Sequence, residues 1–120
     1  MKNTIEHARQ IALGIPYQRH KKRVVAVLTD RKGKVVSVGI NSYEKTCAKQ
    51  GRIAKRLGLD EKVFTHAESH AINQDKLMKG YKLTVVRIGA RGELCYSAPC
   101  PICSERIRQT KNIKVVEFSV

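Results

Sequence analysis

The chain contains no Trp, only four Tyr and two Phe, and only ten acidic side chains in 120 residues. With so few aromatic rings there are few platforms for unpaired bases, which disfavours a surface that grips nucleic acid by stacking. Against the ten acids stand 24 Lys and Arg, giving a formal net charge of +14. An excess of this size attracts phosphate-bearing ligands, without separating a nucleotide from a nucleic acid. Local density is highest from Arg19 to Arg23 and between Lys45 and Lys62. No apolar run approaches the roughly 20 residues of a membrane helix; the longest is Val24-Val25-Ala26-Val27-Leu28. The segment from Met1 to His7 has neither the apolar core nor the cleavage site of a secretion signal, so a cytoplasmic protein with no membrane partner is expected. Repeats, low-complexity tracts and linker-like stretches are absent as well.

An apolar content of 42% suits a globular fold, and residues 1–120 are expected to form a single domain. Ile5, Ala8, Ile11, Ala12 and Leu13 recur at helical spacing until Gly14 and Pro16. Val24 to Thr29 and Lys34 to Ile40 read as strands joined by the turn Asp30-Arg31-Lys32-Gly33. Neither strand alternates strictly, which predicts burial on both faces. Residues 44–57 carry Lys45, Lys49, Arg52 and Arg56, a basic stripe if helical, although Gly51 weakens that reading. A helix is expected from Thr65 to Lys79, with Thr65 as cap, Glu68 completing a capping box and Gly80 as terminator. A strand from Leu83 to Ile88, a turn from Gly89 to Gly92, a helix opened by Cys100 and Cys103, and a strand from Val115 to Val120 complete an α/β sandwich.

Two short motifs carry the chemistry: His66-Ala67-Glu68 and Pro99-Cys100-Pro101-Ile102-Cys103. They supply one imidazole, two thiolates and a carboxylate that need not bind metal. A structural zinc site closes with four protein ligands, whereas a catalytic one uses three and leaves a position for water. His66, Cys100 and Cys103 as ligands of Zn2+, with Glu68 as the proton-transfer group, fit the second pattern. Cys100 and Cys103 lie one helical turn apart and can grip one ion. A thioredoxin-like redox pair is the rival reading of the two thiols, but such pairs sit near the start of a fold and lack His-x-Glu upstream. Cys47 and Cys95 have no partner pattern and are expected as small buried hydrophobes. Zinc acidifies water toward neutral pH, and a nearby carboxylate can move the proton to a leaving amine, so the set suits hydrolytic loss of ammonia from an amidine-like carbon.

The run His66-Ala67-Glu68-Ser69-His70-Ala71-Ile72, together with Pro99-Cys100-Pro101-Ile102-Cys103, resembles the zinc-dependent cytidine and deoxycytidylate deaminase superfamily, whose signature is H-x-E followed by P-C-x-x-C. Gly39-Ile40-Asn41 resembles the family's Gly-x-Asn. The resemblance implies a three-layer α/β/α sandwich with a short four- to five-stranded mixed sheet. It also implies zinc on His66, Cys100 and Cys103, proton transfer by Glu68, Asn41 on the substrate sugar and the Ala67 N–H on the base carbonyl. The family places no ligand at His70, which is therefore read as a packing or supporting residue. Where the family has Thr or Ser three residues before the Pro of P-C-x-x-C, and Glu or Ser directly before it, this chain has Tyr96 and Ala98, with Ser97 between. Most members continue beyond the fourth strand, so either an open pocket or one completed by another subunit is expected.

The function expected is conversion of a cytosine nucleotide, deoxycytidylate first, to its uracil form by a homo-oligomer. One alternative keeps the chemistry and moves it to cytosine or adenine in single-stranded DNA or RNA. Another is a non-enzymatic, zinc-stabilised nucleic-acid-binding module, which would have no need of Glu68.

Overall fold

The computed structural model describes residues 4–17, 23–41, 66–97, 99 and 101–119. Helix α1 (Thr4–Leu13) precedes strands β1 (Arg23–Thr29) and β2 (Val35–Ile40). Helix α2 (Ala67–Gln74), strands β3 (Lys82–Ile88) and β4 (Leu94–Cys95), helix α3 (Pro101–Gln109) and strand β5 (Val115–Phe118) follow. The basic stripe at Lys45, Lys49, Arg52 and Arg56, the expected cap Thr65, and Cys47, Ala98 and Cys100 lie outside the described residues.

The sheet is mixed. Strand β1 pairs antiparallel with β2 on one side and with β3 on the other. The far edge of β3 is shared: β4 takes its end antiparallel at Arg87 and Ile88, and β5 takes its start parallel from Lys82 to Val85. Because successive side chains of a strand point to opposite faces, β1 and β3 divide their apolar residues between two cores. Val25, Val27, Val86 and Ile88 meet Ala8 and Ala12 of α1. Ala26, Leu28, Leu83 and Val85 meet Ala67, Ala71 and Ile72 of α2, with Ile107 of α3 packed against the same cluster. The result is the expected three-layer sandwich, with both motif-bearing helices on one face.

The non-alternating pattern predicted burial on both faces for β1 and β2, and the two strands differ. Val25 to Leu28 are fully buried, as expected of a strand covered on both sides. Strand β2 is an edge and exposes Val35 and Ile40. The turn between them closes as read from sequence: Asp30 Oδ1 accepts from the Lys32 and Lys34 amides, both at 2.9 Å, and Gly33 takes the left-handed φ of 84°.

Helix α2 departs from expectation at both ends. It stops at Gln74, not Lys79, because the buried Asp75 carboxylate accepts the amides of Lys79 (2.9 Å) and Gly80 (2.8 Å), pulling the chain into a loop. At its start the N-cap is His66, without a side-chain capping bond, so Glu68 is the second helical residue. The two-residue strand β4 was too short to give any periodic signal. Cys95, expected as a buried hydrophobe, is half-buried in it at the sheet edge.

Candidate active site

The site begins at the joint between β2 and α2. Gly39 lies so close to the helix that a Cβ on it would overlap the Ala67 carbonyl and the Ala71 amide, and would stand 3.0 Å from Ala71 Cα. Absence of a side chain therefore lets α2 rest directly on the β2 backbone. Ser37 Oγ donates to the Ala71 carbonyl at 2.8 Å and Gln74 Nε2 to the Val38 carbonyl at 2.8 Å, fixing the helix along the strand. One turn into α2, His70 Nδ1 accepts the Ile40 amide at 3.0 Å and lies 3.2 Å from the Ile40 carbonyl. One nitrogen cannot accept from the amide and donate to the carbonyl in the same tautomer, so the imidazole secures the strand end by one bond at a time. His70 is thus spent on the β2 backbone, in keeping with the supporting role read from sequence.

His66 has an extended backbone (φ −84°, ψ 158°), and its carbonyl accepts the first helical bond from the His70 amide at 3.0 Å. Its Nδ1 comes 3.1 Å from Sγ of Cys103, which is fully buried in the first turn of α3. Two donors on one tetrahedral zinc, at about 2.0 Å for nitrogen and 2.3 Å for sulfur, stand about 3.5 Å apart. The observed pair is close to that spacing, and an imidazole with a thiolate is a donor set suited to zinc. Among the described residues no group of three such side chains stands together. The structure thus brings together two of the three expected ligands, while the third, Cys100, is outside the described residues.

Glu68 is on the first turn of α2 and only 6% exposed. Ala67, fully buried, occupies the first helical position, where the backbone N–H has no acceptor within the helix. Asn41 follows β2 directly. It joins β1 by both backbone and side chain, its N–H on the Val24 carbonyl at 3.3 Å and its Oδ1 accepting the Val24 amide at 3.1 Å.

Several positioning contacts had no signature in the sequence. Arg106 of α3, 6% exposed, donates from Nη2 to Asn73 Oδ1 of α2 at 2.6 Å, tying the two motif-bearing helices together. Ser97 pairs with Ser119: backbone N–H to carbonyl at 3.0 Å, and hydroxyl to hydroxyl at 2.8 Å. Ser119 Oγ also reaches the Cys95 carbonyl at 2.5 Å. These bonds anchor the segment leading to Pro99 against the end of β5. Each joins residues 22 or more apart in the chain, a separation at which single polar residues carry no readable pattern. Tyr96, at one of the positions that depart from the family pattern, is exposed and meets Phe118 edge to face at 5.9 Å between ring centroids.

The approach of His66 to Cys103 sets an imidazole against a thiolate where two helices begin. Residues 2–119 match the family described as the cytidine and deoxycytidylate deaminase zinc-binding region, and the chain belongs to that family, whose metal is Zn2+. Among solved structures it is similar to cytidine deaminase from Burkholderia pseudomallei, with 19% identity and a TM-score of 0.59 over 96% of this chain and 83% of the other. It is also similar to cytidine deaminase from Mycobacterium tuberculosis, with 18% identity and a TM-score of 0.55 over 96% and 82%. The Mycobacterium leprae enzyme gives 16% identity and a TM-score of 0.51 over 92% and 81%. At these identities the likeness speaks for the fold. No curated protein matches the chain. Among the described residues no helix is long and apolar enough to cross a membrane.

Proposed function

We propose that this chain hydrolytically deaminates a cytosine nucleotide, deoxycytidylate first among them, to the uracil form with release of ammonia. The observation that carries the proposal is the approach of His66 Nδ1 to Cys103 Sγ at 3.1 Å, with a buried carboxylate, Glu68, in the helix turn that follows His66. His66, Cys103 and Cys100 would hold the zinc, which when bound acidifies water toward neutral pH. Glu68 takes a proton from the attacking water and returns one to the amino group as the C–N bond breaks. Its burial keeps bulk solvent from exchanging that proton, and a structural zinc site would not require a carboxylate there. The Ala67 N–H donates to the base carbonyl. With Oδ1 of Asn41 engaged by Val24, donation from Nδ2 is the contact this amide brings to the substrate sugar. The charge of +14 favours a phosphorylated substrate over a neutral nucleoside. The same charge supports a second reading, cytosine or adenine within single-stranded DNA or RNA. We place the enzyme in the cytoplasm as a homo-oligomer.

The test is mass spectrometry of products from the zinc-loaded protein and a Glu68→Ala control, each incubated with deoxycytidylate, cytidine, single-stranded DNA and RNA. Conversion of deoxycytidylate by the parent and at least 1,000-fold less by the variant is expected, with zinc content unchanged. Turnover only within a polymer moves the assignment to the second reading. Equal turnover by both proteins removes Glu68 from its role.

A further inference from the structure

At the end of the sheet away from His66 lies a second feature that the deaminase chemistry does not use. Asn41 and the start of α2 adjoin Val24, at the beginning of β1. The opposite end, at Thr29 and Lys82, is about 20 Å away for a seven-residue strand at about 3.3 Å per residue. There the β1–β2 turn, the α2–β3 loop and the segment before β5 enclose an open cavity of about 450 Å3. Its lining includes four cations, Arg31, Lys32, Lys79 and Lys114, against one carboxylate, Asp30. Asp30 Oδ1 already accepts two backbone amides of its own turn. Among the described ion pairs none involves any of the four cations.

Four cations drawn together without acidic partners repel one another, so a merely solvated surface would spread them apart. Here backbone hydrogen bonds hold their carrier segments in place. Tyr81 donates its amide to the Thr29 carbonyl at 2.7 Å and accepts the Lys114 amide at 2.9 Å, while Asn112 Nδ2 reaches the Gly80 carbonyl at 2.6 Å. Arg31 lies over the Tyr81 ring at 5.0 Å, which orients its guanidinium while leaving the charge unneutralised. The cavity is large enough for a nucleotide unit, and it is open to solvent, so a chain can pass through it.

We propose that this cavity binds the phosphodiester backbone of a single-stranded nucleic acid, as a site separate from the deaminase centre. Lys79 and Lys114 each neutralise a phosphate, and Arg31 on Tyr81 meets the strand with its planar N–H groups. The proposal is independent of the deaminase assignment, and its test uses a strand that carries no exocyclic amine.

Fluorescence anisotropy of labelled dodecathymidylate binding to the full zinc-loaded chain would be followed across a salt series. The parent would be compared with Lys79→Ala, Lys114→Ala, their double variant, Lys114→Arg, and Arg91→Ala at the opposite end of the sheet. The expected result is a salt slope that falls by about 0.7 for each lysine removed, the value for single strands. Lys114→Arg should retain the slope, and Arg91→Ala should leave it unchanged. Melting temperatures of the exposed-lysine variants within 2 °C of the parent would show that folding is intact. If Arg91→Ala lowers the slope as much as a cavity lysine does, binding is diffuse and the proposal fails. Absence of binding by the parent at 50 mM salt overturns it as well. Displacement of the strand by thymidine monophosphate at equal molar concentration overturns the assignment to a strand and replaces it with a free nucleotide.

Discussion

Substituting Gly39 by Ala tests the joint on which the site depends. In an ordinary strand this change stabilises, since Ala loses less backbone freedom on folding, by about 0.5–1 kcal/mol. At Gly39 the added methyl would overlap backbone atoms of Ala67 and Ala71, which cannot rotate out of the way as a side chain can. Either α2 lifts from β2 or the strand bows outward. Overpacking of this kind costs about 1–3 kcal/mol. A lifted helix also weakens the Ser37–Ala71 and Gln74–Val38 hydrogen bonds, each worth about 1 kcal/mol. Subtracting the entropic gain leaves a net loss of about 2–4 kcal/mol, or roughly 8–16 °C in melting temperature for a domain of this size. Urea denaturation with linear extrapolation measures the first figure and a thermal scan the second. Because Ala67 and Glu68 share the displaced turn, turnover well below the melting transition should fall on the order of 100-fold, the cost of about 1 Å of misplacement. A Gly39→Ala protein as stable as the parent, with full activity, would refute the claim that direct backbone contact sets the position of α2.

Asp75→Ala leaves the amides of Lys79 and Gly80 without their acceptor, the second in a buried position, and should destabilise the protein by about 2–3 kcal/mol in urea unfolding. Asp75→Asn, which keeps one acceptor oxygen, should recover about half of that loss. His70→Ala should retain full zinc stoichiometry by metal analysis, because His70 bonds the Ile40 backbone, and should cost about 1 kcal/mol of stability. A loss of zinc in His70→Ala would instead make His70 a ligand.

Much of the fold was legible because periodicity reports burial. The helical spacing of Ala8 and Ala12 places α1 on the sheet, and the unbroken apolar run from Val24 to Leu28 marks a strand covered on both faces. The metal-binding expectation was legible for a different reason. Ligand chemistry restricts the residue types, so His66-x-Glu68 and Cys100-x-x-Cys103 carry meaning as a pair where neither would alone. Gly39 was singled out only through the family's Gly-x-Asn, and its physical basis, a helix lying on bare backbone, emerges from the packing. Where α2 ends could not be read from Gly80, because the Asp75 carboxylate turns the chain five residues earlier. Nor did any pattern announce the Asn73–Arg106 tie or the Ser97–Ser119 pair, whose partners meet only after the strands between them are laid down.

The sequence by itself determined the types of the longer elements, the family's paired motifs and the sign of the net charge, since these follow from local spacing and side-chain chemistry. Tertiary structure decided which groups meet. It brought His66 to Cys103 across 37 residues, turned His70 onto the edge strand, and gathered Arg31, Lys79 and Lys114 from three segments around one cavity. Such meetings depend on how the helices dock on the twisted sheet, a property of the whole packing that no short stretch of chain encodes.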